Sequence, residues 1–236
     1  MPAAEGSTAT PQVAAGIEVL ARRALALRGS SARVVIGIAG SPGSGKTTLA
    51  LRLVERLGEL CGAETSPEAG PTAVHLPMDG YHLANATLDR LGRHARKGAI
   101  DTFDGWGYVS LLQRLRLETD HSVYAPSFDR AVDEGVAGGI AVPPSATIIV
   151  TEGNYLLVDE APWMQVVELV DEAWFCETPP DERLRRLVDR HERHGRTPDE
   201  AEAWATSVDG KNAILIEASA PRAAIRISGV DASITS

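Results

Sequence analysis

Residues 34–48 read Val34-Val35-Ile36-Gly37-Ile38-Ala39-Gly40-Ser41-Pro42-Gly43-Ser44-Gly45-Lys46-Thr47-Thr48. The first six are apolar and mostly β-branched, which predicts a buried strand. From Thr47 to Leu60, leucines recur at 49, 53, 57 and 60, a helical spacing. Between them, Gly40 to Thr47 fits G-x-x-x-x-G-K-[ST] with the strand before and the helix after that this motif requires. Such a turn wraps successive backbone N–H groups around an anion, and Gly43 and Gly45 leave room for phosphate oxygens. The helix N-terminus adds partial positive charge. Lys46 is placed to reach the β- and γ-phosphates and the Thr47 hydroxyl to ligate Mg²⁺. Gly40, Ser41, Pro42, Gly43, Ser44, Gly45, Lys46, Thr47 and Thr48 are therefore expected to hold a nucleoside triphosphate.

Working outward, two further apolar runs end in acids. Thr72–Pro77 reads as a short strand leading into Met78-Asp79-Gly80-Tyr81-His82. If that strand neighbours the phosphate-loop strand, Asp79 lies where open α/β sheets bind ligands. Asp79 then reads as a general base, a water-mediated Mg²⁺ partner, or simply a turn residue before Gly80. Ala146–Thr151 reads as a strongly buried strand ending in Glu152-Gly153-Asn154-Tyr155. A carboxylate directly after such a strand suits a place beside Mg²⁺ or its water shell; otherwise Glu152 only ends a strand.

The rest of the chain reads as alternating elements. Residues 12–28 form an amphipathic helix with Val13, Ile17, Leu20, Ala24 and Leu27 on one side. Residues 61–71 have the composition of a surface loop. Residues 83–104 are polar and basic, either a mobile segment over the site or a solvated charged face. Gly105–Leu117 is a helix facing Tyr108, Leu111, Leu112 and Leu115 inward. Val123–Arg130 and Gly138–Val142, with a turn at 133–135, make a hairpin projecting from the sheet. Leu157–Leu169 is partly helical and Glu172–Glu177 is a strand. The helix from Pro179 carries six arginines between 183 and 196, interleaved with acids: a salt-bridged face, or an arginine lid over about 183–198. His191 and His194 have no further ligand nearby, which speaks against zinc. Thr197 and Glu200 have capping-box spacing before a helix running to about Ala218. Ala223–Ile227 is a last edge strand, after which the chain is expected to fray. Strands alternating with helices predict an α/β, three-layer αβα sandwich with a mostly parallel sheet, plus the small hairpin and the lid.

Composition narrows the function classes. The chain has 236 residues, 44% hydrophobic, with net charge −9. That suits one globular domain over 12–236, after a disordered tail at 1–11, and argues against a general nucleic-acid role. No apolar run reaches membrane-span length, the tail lacks a signal peptide's pattern, and Cys61 and Cys176 stand far apart, as in a reducing cytoplasm. Only Lys46, Lys97 and Lys211 are lysines.

Taken in order, Gly40–Thr48, Met78–Leu83, Arg96-Lys97-Gly98, Tyr124–Arg130 and Glu152–Leu157 resemble P-loop kinases of the uridine kinase, phosphoribulokinase and type I pantothenate kinase group. They are most similar to bacterial members described as nucleoside/nucleotide kinase family or fructose transport system kinase proteins. The resemblance covers roughly residues 15–228. It implies ATP- and Mg²⁺-dependent transfer of the γ-phosphoryl group to a hydroxyl of a small metabolite: a nucleoside, a pantothenate-like acid or a sugar. It implies Asp79 as the base, with Lys46 and Glu152 completing the catalytic set. Tyr81, His82, Lys97, Tyr124, Phe128, Asp129, Arg130 and Asn154 become the acceptor pocket. Arg186, Arg190 and Arg193 become the lid, and Thr47 and Glu152 the metal ligands. The group also allows a homodimer. Met-Asp-Gly-Tyr is closer to the pantothenate kinase pattern, but Ala99–Asp104 after Arg-Lys-Gly is not, so neither acceptor follows. The competing class is a GTPase or ATPase switch or assembly factor without an acceptor. Asp104-Gly105-Trp106-Gly107 fits D-x-x-G, but it follows no apolar strand and no Asn-Lys-x-Asp accompanies it.

Overall fold

The computed structural model describes residues 10–28, 32–62 and 70–236. The tail at 1–9 and residues 63–69 of the expected surface loop lie outside the described residues. Five parallel strands form the central sheet in the order β2-β5-β1-β6-β7: β1 (Val34–Ala39), β2 (Ala73–Pro77), β5 (Ile148–Gly153), β6 (Glu172–Glu177) and β7 (Ile225–Ser228). A separate antiparallel hairpin joins β3 (Val123–Asp129) and β4 (Glu134–Val142). The helices are α1 (Pro11–Arg28), α2 (Lys46–Leu60), α3 (Asn85–Arg90), α4 (Gly105–Leu117), α5 (Val166–Leu169), α6 (Pro180–Arg193), α7 (Pro198–Trp204) and α8 (Gly210–Ala218).

β1 and β5 are buried along their whole length, as continuous apolar strands covered on both faces must be. Alternation sorts their side chains into two layers. Val34, Ile36, Ile38, Ile148 and Val150 pack with leucines of α1 and α2. Val35, Ala39, Ile149 and Leu76 pack instead with α4, Tyr155–Val158 and Ile216 of α8. Helices on both faces of a parallel sheet make the expected three-layer sandwich.

Several details differ from expectation. β2 does not neighbour the phosphate-loop strand; β5 lies between them, pairing with β1 and β2 at once. The physical reason is burial. β5, apolar on both faces, takes the inner position, while β2 has half-buried residues at His75 and Pro77 and stands at the sheet's edge. The hairpin turn comes earlier than expected, at Arg130–Asp133, where Asp133 adopts φ 55°. Gly80 is not needed to turn the chain away. A Cβ there would lie 2.2 Å from the Pro126 carbonyl, so glycine lets the hairpin backbone approach. The C-terminus does not fray. Ile234 bridges Ile227, Thr235 N–H donates to Arg226 O at 2.9 Å and Arg226 N–H to Ser236 O at 2.8 Å. This return strand covers the open edge of β7.

The segment 83–104 is knitted rather than loose: α3 and two single 3₁₀ turns at His94–Arg96 and Ile100–Thr102 are tied by Arg93 and Arg96 to Asp101. The capping box at Thr197 and Glu200 is formed. The helix after it is interrupted by a π turn at Ala205–Asp209 before α8.

Candidate active site

The phosphate loop runs between the end of β1 and the start of α2. Gly43 and Gly45 adopt φ 79° and 90°, the left-handed region where L side chains are strained. Gly45 is the N-cap of α2 and supplies no side-chain cap, so the first N–H groups of that helix are free for an anion. The back of the loop is held firmly. Ser44 O accepts from the Thr178 hydroxyl at 2.8 Å and the Cys176 thiol at 3.2 Å. Burial pushes the Cys176 thiol up to about 11, keeping it a protonated donor.

Glu152 ends β5 in register with Ile38 of β1 and Pro77 of β2. It is buried, and its Oε1 accepts from the Thr47 hydroxyl at 3.0 Å, with His75 Nε2 at 3.5 Å. Burial pushes its carboxyl up, but His75, Lys46 and Thr47 outweigh that and hold it below the ordinary range. Glu152 is therefore ionised at neutral pH. One hydroxyl and one carboxylate converging beside a phosphate loop fit Mg²⁺, which keeps much of its water and shares the substrate's phosphates. No cluster of three or more His, Cys, Asp or Glu among the described residues could hold a metal by protein ligands alone.

These groups open into a cleft of roughly 650 Å³. Of the expected residues, Pro42, Lys46 and Thr47 line its phosphate side. Asp79, His82, Lys97, Phe128, Arg130 and Asn154 line its other walls, and Arg190 reaches it from α6. Asp79 sits in a 3₁₀ turn, Met78–Tyr81, and no group among the described residues hydrogen-bonds its carboxylate. Asn154 presents a buried amide oxygen with no partner. His82 packs between Phe103 and Phe128, tilted 46° to each ring with centroids at 4.0 and 4.7 Å, and burial holds its pKa below the usual value despite Asp79 nearby. Lys97 has its ammonium engaged by Asn85 Oδ1 at 2.7 Å, Asp133 Oδ2 at 2.8 Å and the Asp133 carbonyl. Its donors thus tie the 94–98 turn to the hairpin through Asp133 and to α3 through Asn85.

The remaining expected residues lie elsewhere. Arg186 rests on the outside of the loop, donating to Gly229 O at 3.2 Å and standing 3.1 Å from where a Gly45 Cβ would be. Ser41 is buried and donates to Glu217 at 3.2 Å. Thr48 is exposed in the first turn of α2. Gly40 packs so closely on Cys176 O that a Cβ would lie 2.6 Å from it. Tyr81 packs edge-on against Tyr108 at 5.5 Å, and burial pushes its hydroxyl up to about 12. Tyr124 is exposed on β3, and Asp129 turns back to accept from Ala131 N at 2.8 Å. Arg193 is exposed and donates to Asp189 O.

Sequence reasoning missed other residues of the cleft. His191 Nε2 and Asp209 Oδ2 meet at 2.7 Å, the π turn having carried Asp209 inward. Arg196 stacks on Trp204 at 3.8 Å. No spacing pattern links these pairs. His75, by contrast, lies two residues before Pro77, the register partner of Glu152, and strand alternation alone could have found it.

With this geometry in hand, similarity to known proteins is informative. The profile of the Phosphoribulokinase / Uridine kinase family matches residues 35–212. The Schizosaccharomyces pombe protein C227.14, a candidate uridine kinase, is 36% identical over 188 residues, 78% of this chain and 77% of that protein. YggC of Escherichia coli K12 is 33% identical over 180 residues, covering 76% of this chain and 71% of its own. A crystal structure of a candidate fructose transport system kinase from Silicibacter sp. TM1040 superposes with a TM-score of 0.76 at 35% identity, covering 86% of this chain and 95% of that one.

Proposed function

The chain belongs to the phosphoribulokinase/uridine kinase family, and from that premise we propose that it transfers the γ-phosphoryl group of ATP to a hydroxyl of a small metabolite. The observation that carries this reading is the cleft itself. One cavity joins Pro42, Lys46 and Thr47 of an uncapped phosphate loop, with Glu152 hydrogen-bonded behind Thr47, to a carboxylate, Asp79, that no group among the described residues engages.

Each residue has a task its surroundings support. The loop N–H groups and Lys46 hold the phosphates and offset charge that grows on the bridging oxygen during transfer. Thr47 and Glu152 would hold Mg²⁺, which supplies further neutralisation and alignment of the phosphates when bound. Asp79 orients the acceptor hydroxyl and takes its proton as the new O–P bond forms and ADP leaves. Asn154, with its unpartnered oxygen, is suited to accept a hydrogen bond from another hydroxyl of the acceptor. Arg190, reaching the cleft from α6, forms the lid side, and Arg186 one helical turn before it braces the outside of the loop. Asp104 of the D-x-x-G match accepts from Gly107 N at 2.8 Å as the N-cap of α4 and does not line the cleft, so that stretch serves as a helix cap.

The names of the relatives point to different acceptors, a nucleoside and a sugar, and the acceptor is left at the level of a hydroxyl metabolite. Among the described residues no helix is long and apolar enough to cross a membrane, and Cys61 and Cys176 are both free thiols; we place the protein in the cytoplasm on that footing.

The test is an ADP-release screen of the purified chain against hydroxyl metabolites, paired with Asp79→Asn. The variant is expected to bind ATP normally and lose transfer by about 10²-fold. Transfer at near wild-type rate in Asp79→Asn removes Asp79 as base, and ADP release that no acceptor stimulates removes the kinase reading.

A further inference from the structure

Taking the kinase reading as its basis, the charge inventory of the cleft goes one step further than that reading. The acids around the cleft are mostly engaged. Asp133 holds Lys97 at 2.8 Å, Asp209 holds His191 at 2.7 Å with Arg190 at 4.0 Å, and Asp89 holds His94 at 2.7 Å. Asp79 is reserved for the acceptor hydroxyl. Two guanidinium groups lining the cleft, Arg130 and Arg196, have no carboxylate within 4.0 Å among the described residues.

Their neighbours make this more than chance exposure. Asp129, beside Arg130, has its carboxylate turned onto Ala131 N. Glu200, whose carboxyl feels the charge of Arg196, turns its Oε2 onto the Thr197 backbone N–H and hydroxyl. The Arg196 guanidinium carbon lies 3.8 Å from the Trp204 ring centroid, a cation–π contact that holds the group at the cleft. Elsewhere in this acidic chain arginines at 22, 23, 56, 114, 116 and 185 each hold a carboxylate, while Arg28, Arg52, Arg90 and Arg193, which hold none among the described residues, do not line the cleft. The nucleotide's phosphates already have the loop N–H groups, Lys46, Arg190 and the metal.

We infer that the phosphoryl acceptor is itself an anion: a small hydroxyl compound bearing a phosphate monoester or a carboxylate, held by Arg130 from the hairpin turn and Arg196 from beyond α6. A guanidinium presents paired planar donors that match either group. A neutral nucleoside or sugar would sit beside two cations and offer them no charge. The anion also distinguishes the right hydroxyl from the many neutral ones a cell contains, because a site built to bind a charge rejects analogues lacking it.

The test separates this inference from the kinase reading on which it rests. The whole chain, saturated with Mg²⁺ and a non-hydrolysable ATP analogue, is titrated calorimetrically in separate arms with inorganic phosphate and with malonate. Binding is expected in at least one arm, the tighter arm naming the anion class. Arg130→Gln and Arg196→Gln are expected to weaken it about tenfold while the analogue's affinity stays within about twofold. No anion binding to the analogue-saturated chain overturns the inference. So does weakened analogue binding with unchanged anion binding, which assigns the two arginines to the nucleotide. Turnover is then compared within matched pairs: sugar phosphate and sugar, hydroxy acid and its amide, nucleoside monophosphate and nucleoside. Faster ADP release with the charged member supports the inference. Preference for a neutral member overturns it and leaves the kinase reading standing.

Discussion

The two sides of the cleft are built in different ways. The phosphate side is one continuous stretch, residues 34–48, backed by the end of β5, with both strands buried throughout. What it offers an anion is chiefly backbone N–H groups, whose positions the fold dictates. The acceptor side is assembled from the 94–98 turn, the hairpin turn, the end of α6 and the π turn, and its side chains are mostly half-buried or exposed. Those pieces are held by contacts such as the Lys97–Asp133 ion pair and the His191–Asp209 hydrogen bond. A triphosphate presents the same geometry whatever the acceptor, so its site can be written into backbone. An acceptor's shape differs between kinases, and loops on a rigid scaffold can change without disturbing the sheet.

If that division holds, the largest effect belongs to the rigid side. Lys46→Ala is expected to lower turnover by about 10²–10³-fold with the fold intact, because nothing else at the loop supplies a mobile charge to the bridging oxygen. Circular dichroism and melting should be unchanged. Turnover within about threefold of wild type, under roughly 1 kcal/mol of barrier, breaks the assignment of this side to phosphates.

Glu152→Gln tests the same side at its metal. The amide still accepts from Thr47, so the site keeps its shape and loses its charge. Turnover is expected to fall by about tenfold or more and the Mg²⁺ concentration for half-activity to rise. An unchanged Mg²⁺ titration makes Glu152 a strand-end residue only. The carboxyl also links to stability. Its folded pKa lies below the usual 4.5, so its stabilising contribution is complete above that value and fades as pH falls through the lower folded value. The variant should therefore differ from wild type in stability at neutral pH, and the two should converge in acid.

The same division governs what could be read before the structure was seen. Gly40–Thr48, Glu152 after its apolar strand and the Thr197–Glu200 cap were legible because each is a contiguous pattern with a local cause. The place of Asp79 relative to the phosphate loop was not, because strand order depends on which strand buries both faces, and β5 displaced β2 from the neighbouring position. The resemblance places Lys97 in the acceptor pocket, but its engagement with Asp133 depends on a hairpin 36 residues away. The His191–Asp209 pair spans 18 residues and needs an extra residue in a helical turn, which periodicity does not reveal. The C-terminal return was missed because polar residues such as Ser233 and Thr235 give no strand signal, although the open edge of β7 gives them a reason to pair.

The smallest expected effect sharpens the comparison most. Thr197 caps α7 directly after Arg196, with its hydroxyl accepting from Glu200 N and the Glu200 carboxylate accepting from Thr197 N at 2.9 Å. Replacing such a cap by alanine costs about 1 kcal/mol. Where that cost appears depends on whether the acceptor side melts with the sheet. Leu187 is the sole buried residue of α6 and Ala201 of α7, so few apolar contacts tie the region down, and local opening should lie well below global unfolding. Thr197→Ala is therefore expected to raise tryptic cleavage at Arg190, Arg193 and Arg196 by about fivefold, the ratio that 1 kcal/mol sets for a local opening, with the melting temperature nearly unmoved. A fall of about 2–4 °C in melting temperature without faster cleavage is the opposite result. It would mean that the lid and the π turn unfold only with the sheet, and that both sides of the cleft belong to one cooperative unit.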